Sequence, residues 1–156
     1  MAPNQELRSE FLGELVIQVS GSHIFGETPM GQMRRVDYFD CGHFKGPKID
    51  AQVVRGSADA LLQRFDGVVQ PDVRLTLKTS DGHHLLVRYR GFRHAAPDVM
   101  QRIEREERVE SGEVYLRTAM FFETDSPSLT WLNQTLAIGV GRRDPKAAIY
   151  DVYEIL

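Results

Sequence analysis

Arg117 and Glu123 are the residues of this chain whose types and setting best suit chemistry. Both stand in "YLRTAMFFETDSPSLTWLN", residues 115 to 133. With the two-residue period of a strand they share a face with Tyr115, Ala119 and Phe121. A guanidinium and a carboxylate on an aromatic face suit the lining of a cavity, Arg117 to grip an anion and Glu123 to move a proton. Six residues of strand hold them roughly 20 Å apart, so they do not pair with each other. Arg117 is expected to lie deep and Glu123 near the mouth. A buried, unpaired guanidinium is costly, so Arg117 requires an acid from another strand, Asp59 or Asp72, or one carried by a ligand. An Arg–Asp pair that merely fixes strand register fits these residues equally well.

A second arginine, Arg74, shares its parity with Asp72, Thr76 and Lys78, which taken alone describes a solvated strand face. Turned inward, Arg74 and Arg117 would form a cationic floor for a carboxylate or an enolate. Tyr115 and Trp131 could wall such a site and Asn133 offer an amide. Core packing for the tryptophan and a local turn cap for the asparagine are the structural alternatives. No metal site is expected. His83 and His84 are adjacent and face opposite sides of a strand, and the other histidines show no ligand spacing. Cys41 is alone, which excludes an intramolecular disulfide. The glycines of "GSHIFG" and "GETPMG" lack the Lys-Ser/Thr ending and the helix of a phosphate loop. No cofactor is expected.

The elements that must position these groups are strands. "FLGELVIQV" alternates, with Phe11, Leu15, Ile17 and Val19 on one parity. "GSHIFGETPMG" reads as a Gly/Pro loop, and "QMRRVDYFDC", "HFKGPKIDAQVVRG" and "ALLQRF" as further strands. The clearest local signal is "DVRLTLKTSDGHHLLVRYRGF", a hairpin turning at Asp81-Gly82. "APDVMQRIEREERV" is the one helix expected, on the surface or capping an opening. "SPSLTWLN" reads as a turn or a single helical turn, and "TLAIGVGRR" and "AAIYDVYEIL" as neighbouring strands. About nine strands with short connections predict an all-β fold, a single antiparallel β-barrel over residues 1–156 with one short helix. A sandwich is the competing architecture. Closure is favoured because 113–124 and 136–140 carry apolar residues on both parities.

The 156 residues suit one domain. A net charge of −3 gives no global field for nucleic acid. No apolar run is long enough for a membrane helix, and "MAPNQELRSEF" has no leader pattern, so a cytoplasmic protein is expected. The partner expected is a small molecule, with neither nucleic acid nor membrane, and a homodimer as a further option.

"FKGPKI", "VVRGSAD", "DVRLTLKTSDG", "RYRG", "YLRTAMFFET", "WLN" and "IGVGRR" occur in that order. Together they resemble the bacterial and fungal family known as domain of unknown function 3237, over about residues 31–156. The resemblance implies a barrel like that of the allene oxide cyclases, with a central cavity and no established reaction. The matching positions include Asp59, Asp72, Arg74, Tyr115, Arg117, Glu123 and Trp131 through Asn133. Ala60 and Leu75 depart from it, standing where the family commonly has Trp and Tyr, which implies a wider cavity or a different ligand. The functional expectation is a barrel that holds a small, partly apolar anion. As an enzyme it would isomerise, cyclise or transfer a proton without a cofactor, with Glu123 or Asp59 as base and an arginine steadying the oxyanion. A non-catalytic carrier or sensor is the alternative. A third reading is a filled barrel whose outer face along 113–124 makes a dimer.

Overall fold

The computed structural model covers residues 1–156. Strict alternation builds its strands. In β8 (Asp72–Thr79), Val73, Leu75 and Leu77 are buried, while Asp72, Arg74 and Lys78 face solvent. The chain returns as β9 (His84–Ala95) through the expected Asp81-Gly82 turn. Gly82 has φ +85° and donates its N–H to the Thr79 carbonyl at 3.0 Å, a conformation that favours glycine.

Before this hairpin come β1 (Ser9–Gln18), β2 (Gly21–Thr28), β3 (Gly31–Phe39), β4 (Cys41–Gly46), β5 (Ile49–Val53), β6 (Ser57–Gln63) and β7 (Val69–Gln70). After it come α1 (Pro97–Glu104), β10 (Val114–Thr124), β11 (Leu136–Asp144) and β12 (Ala147–Ile155). Pairing runs β8, β9, β10, β11, β12, β1, β4, β5 and back to β8, which closes an antiparallel barrel. At one end β2, β3, β6 and β7 prolong the wall as a flared sheet: β2 on β3, β3 on β6, β6 on β7 and on the first half of β8.

The twelve strands exceed the nine expected because "HFKGPKIDAQVVRG" is not one strand but turns at Pro47-Lys48 into the antiparallel pair β4 and β5, and because β2 and the two-residue β7 are added. β5 pairs with residues 77–79 of β8, whereas β6 pairs with residues 73–74. The "GSHIFGET" segment is a strand and not a loop. Gly26, at φ +80°, marks a register shift that lets a glycine-rich stretch pair with β3. The helix ends at Glu104, earlier than its sequence pattern suggests, and Glu106 follows with φ +58°. "SPSLTWLN" forms a kinked 3-10 segment, Pro127–Gln134. No helix is long and apolar enough to cross a membrane.

The core fills the barrel. Leu15, Phe44, Leu75, Leu85, Met120 and Leu132 are wholly buried, and Phe44 stacks on Phe122 at 6.2 Å. On β10 the buried set is Val114, Leu116, Thr118, Met120 and Phe122. The charged parity therefore faces outward, the reverse of the expectation. Tyr115 and Phe121 had made that outer face look dry, and both are exposed.

Candidate functional site

The expected site residues separate into three places. Arg117, Tyr115, Glu123 and Arg74 lie on the outside of the barrel, so the cationic floor does not exist in its interior. Arg117 rests over the Tyr115 ring at 5.1 Å and donates to the Leu116 carbonyl at 2.9 Å. Glu123 is exposed and is no base of an internal cavity. Trp131 and Asn133 sit at the opposite end of the barrel from the flared sheet. The Trp131 ring is part-buried under Lys48, with Nζ 5.5 Å from its centroid. Asn133 caps its turn: Oδ1 accepts from the Thr124 N–H at 2.9 Å, and Nδ2 donates to the Thr124 and Thr130 carbonyls at 3.0 Å. Arg117 and Arg74 border open depressions on the outer face, and Asp59 alone points into the interior, together with groups that sequence reasoning missed.

The flared sheet makes one wall. The register sets Asp37 of β3 directly across from Asp59 of β6. Two carboxylates so placed repel, and the fold answers each differently. Arg35, two positions before Asp37 on the same face, pairs with it: Nη2 donates a hydrogen bond at 3.1 Å, and Nε lies 2.8 Å from the other carboxylate oxygen without hydrogen-bond geometry. Ser22 Oγ donates to the same carboxylate. Asp59 accepts only the Asp72 N–H, at 2.9 Å. Part of the residue reaches the surface, but its carboxyl lies among protein atoms. Burial first, and then the Asp37 carboxylate, push its pKa up to about 6 against the pull of the Asp72 N–H, Arg93 and Arg35.

The barrel supplies the other wall. Arg93 on β9 follows Leu85, Val87 and Tyr89 in inward parity and is buried, with Nε lacking any hydrogen-bond partner. Burial, and next the Arg143 guanidinium, pull its pKa down from the arginine range, though it stays charged at neutral pH. On β11, Arg142 points out to Glu14 at 2.9 Å and Asp151 at 3.1 Å. Its neighbour Arg143 points in, where burial and Arg35 lower its pKa. Tyr150 of β12 lies edge-on to Tyr89, with centroids 5.3 Å apart. Burial and the Asp59 carboxylate raise the Tyr150 phenol to about 12, so it keeps its proton and can donate it in a hydrogen bond.

Glycines make the room for that phenol. A Cβ on Gly141 would come within 2.4 Å of Leu116 Cδ2 and 2.8 Å of Tyr150 Cε1. Gly141→Val is therefore expected to cost about 1–3 kcal/mol and to shift the Tyr150 ring. Chemical denaturation, with the NMR shifts of the Tyr150 ring, reads both effects. An unchanged midpoint would show that the ring has slack.

These walls enclose a cleft of about 350 Å³ between the flared sheet, α1 and the β11–β12 turn. Arg35, Asp37, Arg93 and Arg143 line it beside Met33, Met100 and Ile103. A deeper niche of about 30 Å³ continues inward and ends on Asp59 and Tyr150. Arg93, Arg143 and Val69 border both chambers. The larger has the volume of a small-ligand site and the smaller that of one water. Cations thus stand at the throat, with a proton-exchanging carboxyl and a phenol behind them. No group of three or more His, Cys, Asp or Glu side chains is placed to hold a metal ion.

Comparison with known proteins places the whole chain. A family model described as "Protein of unknown function (DUF3237)" matches residues 7–155, a longer span than the motifs alone suggested because it takes in β1 and β2. A UPF0311 protein of Rhodopseudomonas palustris is 27% identical over 150 residues, 96% of this chain and 97% of the relative. A crystal structure of a conserved protein of unknown function from that organism superposes with a TM-score of 0.92 at 26% identity, covering 98% of this chain and 100% of the other. A β-barrel-like protein of Acinetobacter baumannii gives 0.85 at 27% identity, with all of both chains covered. A protein of Penicillium herquei described as an enzyme gives 0.73 at 20% identity over 100% of this chain and 99% of that one, a likeness of fold alone.

Proposed function

For a chain that belongs to the DUF3237 family of proteins of unknown function, we propose that the cleft binds a small, partly apolar organic anion and that Asp59 moves a proton on it. The observation that carries this reading is the pairing of an unsatisfied buried Arg93 Nε with a nearly isolated Asp59 carboxyl on the walls of one cavity. Natural interiors satisfy such groups, and a ligand would complete both. Arg35 is already occupied by Asp37, so Arg93 and Arg143 are the guanidinium groups left for an incoming carboxylate or enolate. Met33, Met100 and Ile103 would cover its apolar part.

The reaction class that fits is cofactor-free proton transfer next to a carbonyl. Through the one water that its niche admits, Asp59 takes a proton from carbon, the electron pair moves onto the carbonyl oxygen, and Arg93 or Arg143 holds the enolate. Return of the same proton to a different carbon completes an isomerisation. A carboxyl with a pKa of about 6 suits both directions near neutral pH. This reading keeps Asp59 as the base and replaces the outward arginines with Arg93 and Arg143.

A thermal-shift screen of aromatic and hydroxy carboxylates tests the binding half. A ligand at 100 times its Kd stabilises by about 2.7 kcal/mol, which in a chain of this size raises the melting temperature by roughly 5–10 °C. The matching primary amides are expected to give no shift. Equal shifts from acid and amide would rule out a site selective for anions.

A further inference from the structure

We infer that the outer face of β8, β9, β10 and the first half of β11 is a homodimer interface in which a two-fold axis parallel to the strands lays cationic and aromatic side chains of one copy on those of the other. Arg88, Arg90, Phe92 and His94 project outward from β9, and Tyr115, Arg117 and Phe121 from β10. Their register is ordered: Phe92 sits opposite Arg117, Arg88 opposite Phe121, His94 opposite Tyr115, and Arg90 opposite Ala119. Three of these four rows thus hold one aromatic ring and one basic group.

That pattern is self-complementary. A two-fold running between β9 and β10 exchanges the two members of every row. It brings Phe92 of one copy over Arg117 of its mate, Phe121 over Arg88, and Tyr115 over His94. An isologous contact requires this property, a patch that matches itself after the exchange. The fourth row sets the long Arg90 over the small Ala119, which relieves crowding at the centre. Within one chain the face already uses this chemistry: Arg117 lies over Tyr115 and His94 stacks on it at 4.7 Å.

Composition and area point the same way. Phe92, Tyr115, Phe121 and Leu136 are 45%, 47%, 51% and 41% exposed. Together they expose about 300–400 Å² of largely apolar surface, in two parts separated by the Arg90 and Ala119 row. The stems of Arg74, Arg88, Arg90 and Arg117 extend it toward the roughly 800 Å² per partner of a standard interface. Aromatics and arginine dominate, and of acids the face carries only Asp72 and Glu123, the balance found at interface cores. The cleft lies at the flared end and stays open in such a dimer.

Sedimentation velocity of the purified full-length chain tests this. The wild type is expected to sediment as a concentration-dependent dimer. Phe121→Arg alone places like charges in two symmetry-related rows and is expected to weaken dimerisation by about tenfold or more. Combining Phe121→Arg with Arg88→Phe restores one ring and one cation per row and is expected to restore the dimer. Circular dichroism confirms that each variant is folded. A wild type that is monomeric at every concentration, with or without single-stranded nucleic acid bound, overturns the inference. So does a dimer that persists unchanged in Phe121→Arg, or a double variant no better than the single one.

Discussion

Asp59→Asn is expected to raise the stability of the protein at pH 8 and to leave it unchanged near pH 4. The folded structure raises this carboxyl to about 6, well above its value in an unfolded chain. Above pH 6 the ionised group sits in the cavity at a cost. As pH falls from about 6 to 4 the folded state takes up the proton first and the cost disappears; below that both states are protonated. Asn keeps the shape and can still accept the Asp72 N–H. The gain at pH 8 should be about 1–3 kcal/mol, a rise of roughly 2–10 °C in melting temperature. The same substitution is expected to lower turnover about 100-fold or more while leaving ligand binding in place. Melting curves of both proteins at pH 4 and pH 8 decide the first half. A destabilised variant at pH 8 would mean that the ionised Asp59 is paired for structure. Retained turnover would show that Asp59 is not the base, and no turnover in either protein would make the cleft a carrier.

Locally coded features of the fold were legible. The Asp72–Ala95 hairpin carries a strict alternation and an Asp-Gly turn, so its register is fixed within some twenty residues of chain. Closure was expected for a reason that proved incidental. Apolar residues on both parities of β10 and β11 do not mean that both faces are dry: Phe121 and Leu136 are exposed, and the barrel closes through the β9–β10 ladder.

The site was less legible because parity was read around the wrong anchor. In "LLVRYRGFR", Leu85, Val87 and Tyr89 fix the inward set, and counting on by twos reaches Arg93. The three arginines look alike in sequence, yet Arg88 and Arg90 fall outside and Arg93 inside. The same count along β11, from Ala137 through Gly139 and Gly141, reaches Arg143. These signals were present. The opposition of Asp37 and Asp59 was not, because β3 and β6 are joined by no tight turn and their register follows from the bends on either side.

Arg93→Met should separate binding from folding. A buried guanidinium with an unpartnered Nε contributes little net stability, and an apolar side chain of similar length often replaces such a group at no loss. The variant is therefore expected to melt within a few degrees of the wild type. A carboxylate ligand, by contrast, loses a charged donor inside a desolvated throat. Such truncations cost about 2–4 kcal/mol, or roughly 30- to 1000-fold in Kd. Arg93→Lys keeps the charge without the planar fork and should recover only part of that loss. Removing Arg93 also removes a neighbour that holds the Asp59 pKa down, so its carboxyl should titrate above 6 in the Met variant. Calorimetric titration reads the affinity, and carbon NMR of the Asp59 carboxyl reads the proton. A Met variant that unfolds, with Asp59 titrating no higher, would show that Arg93 holds the two walls together instead of waiting for an anion.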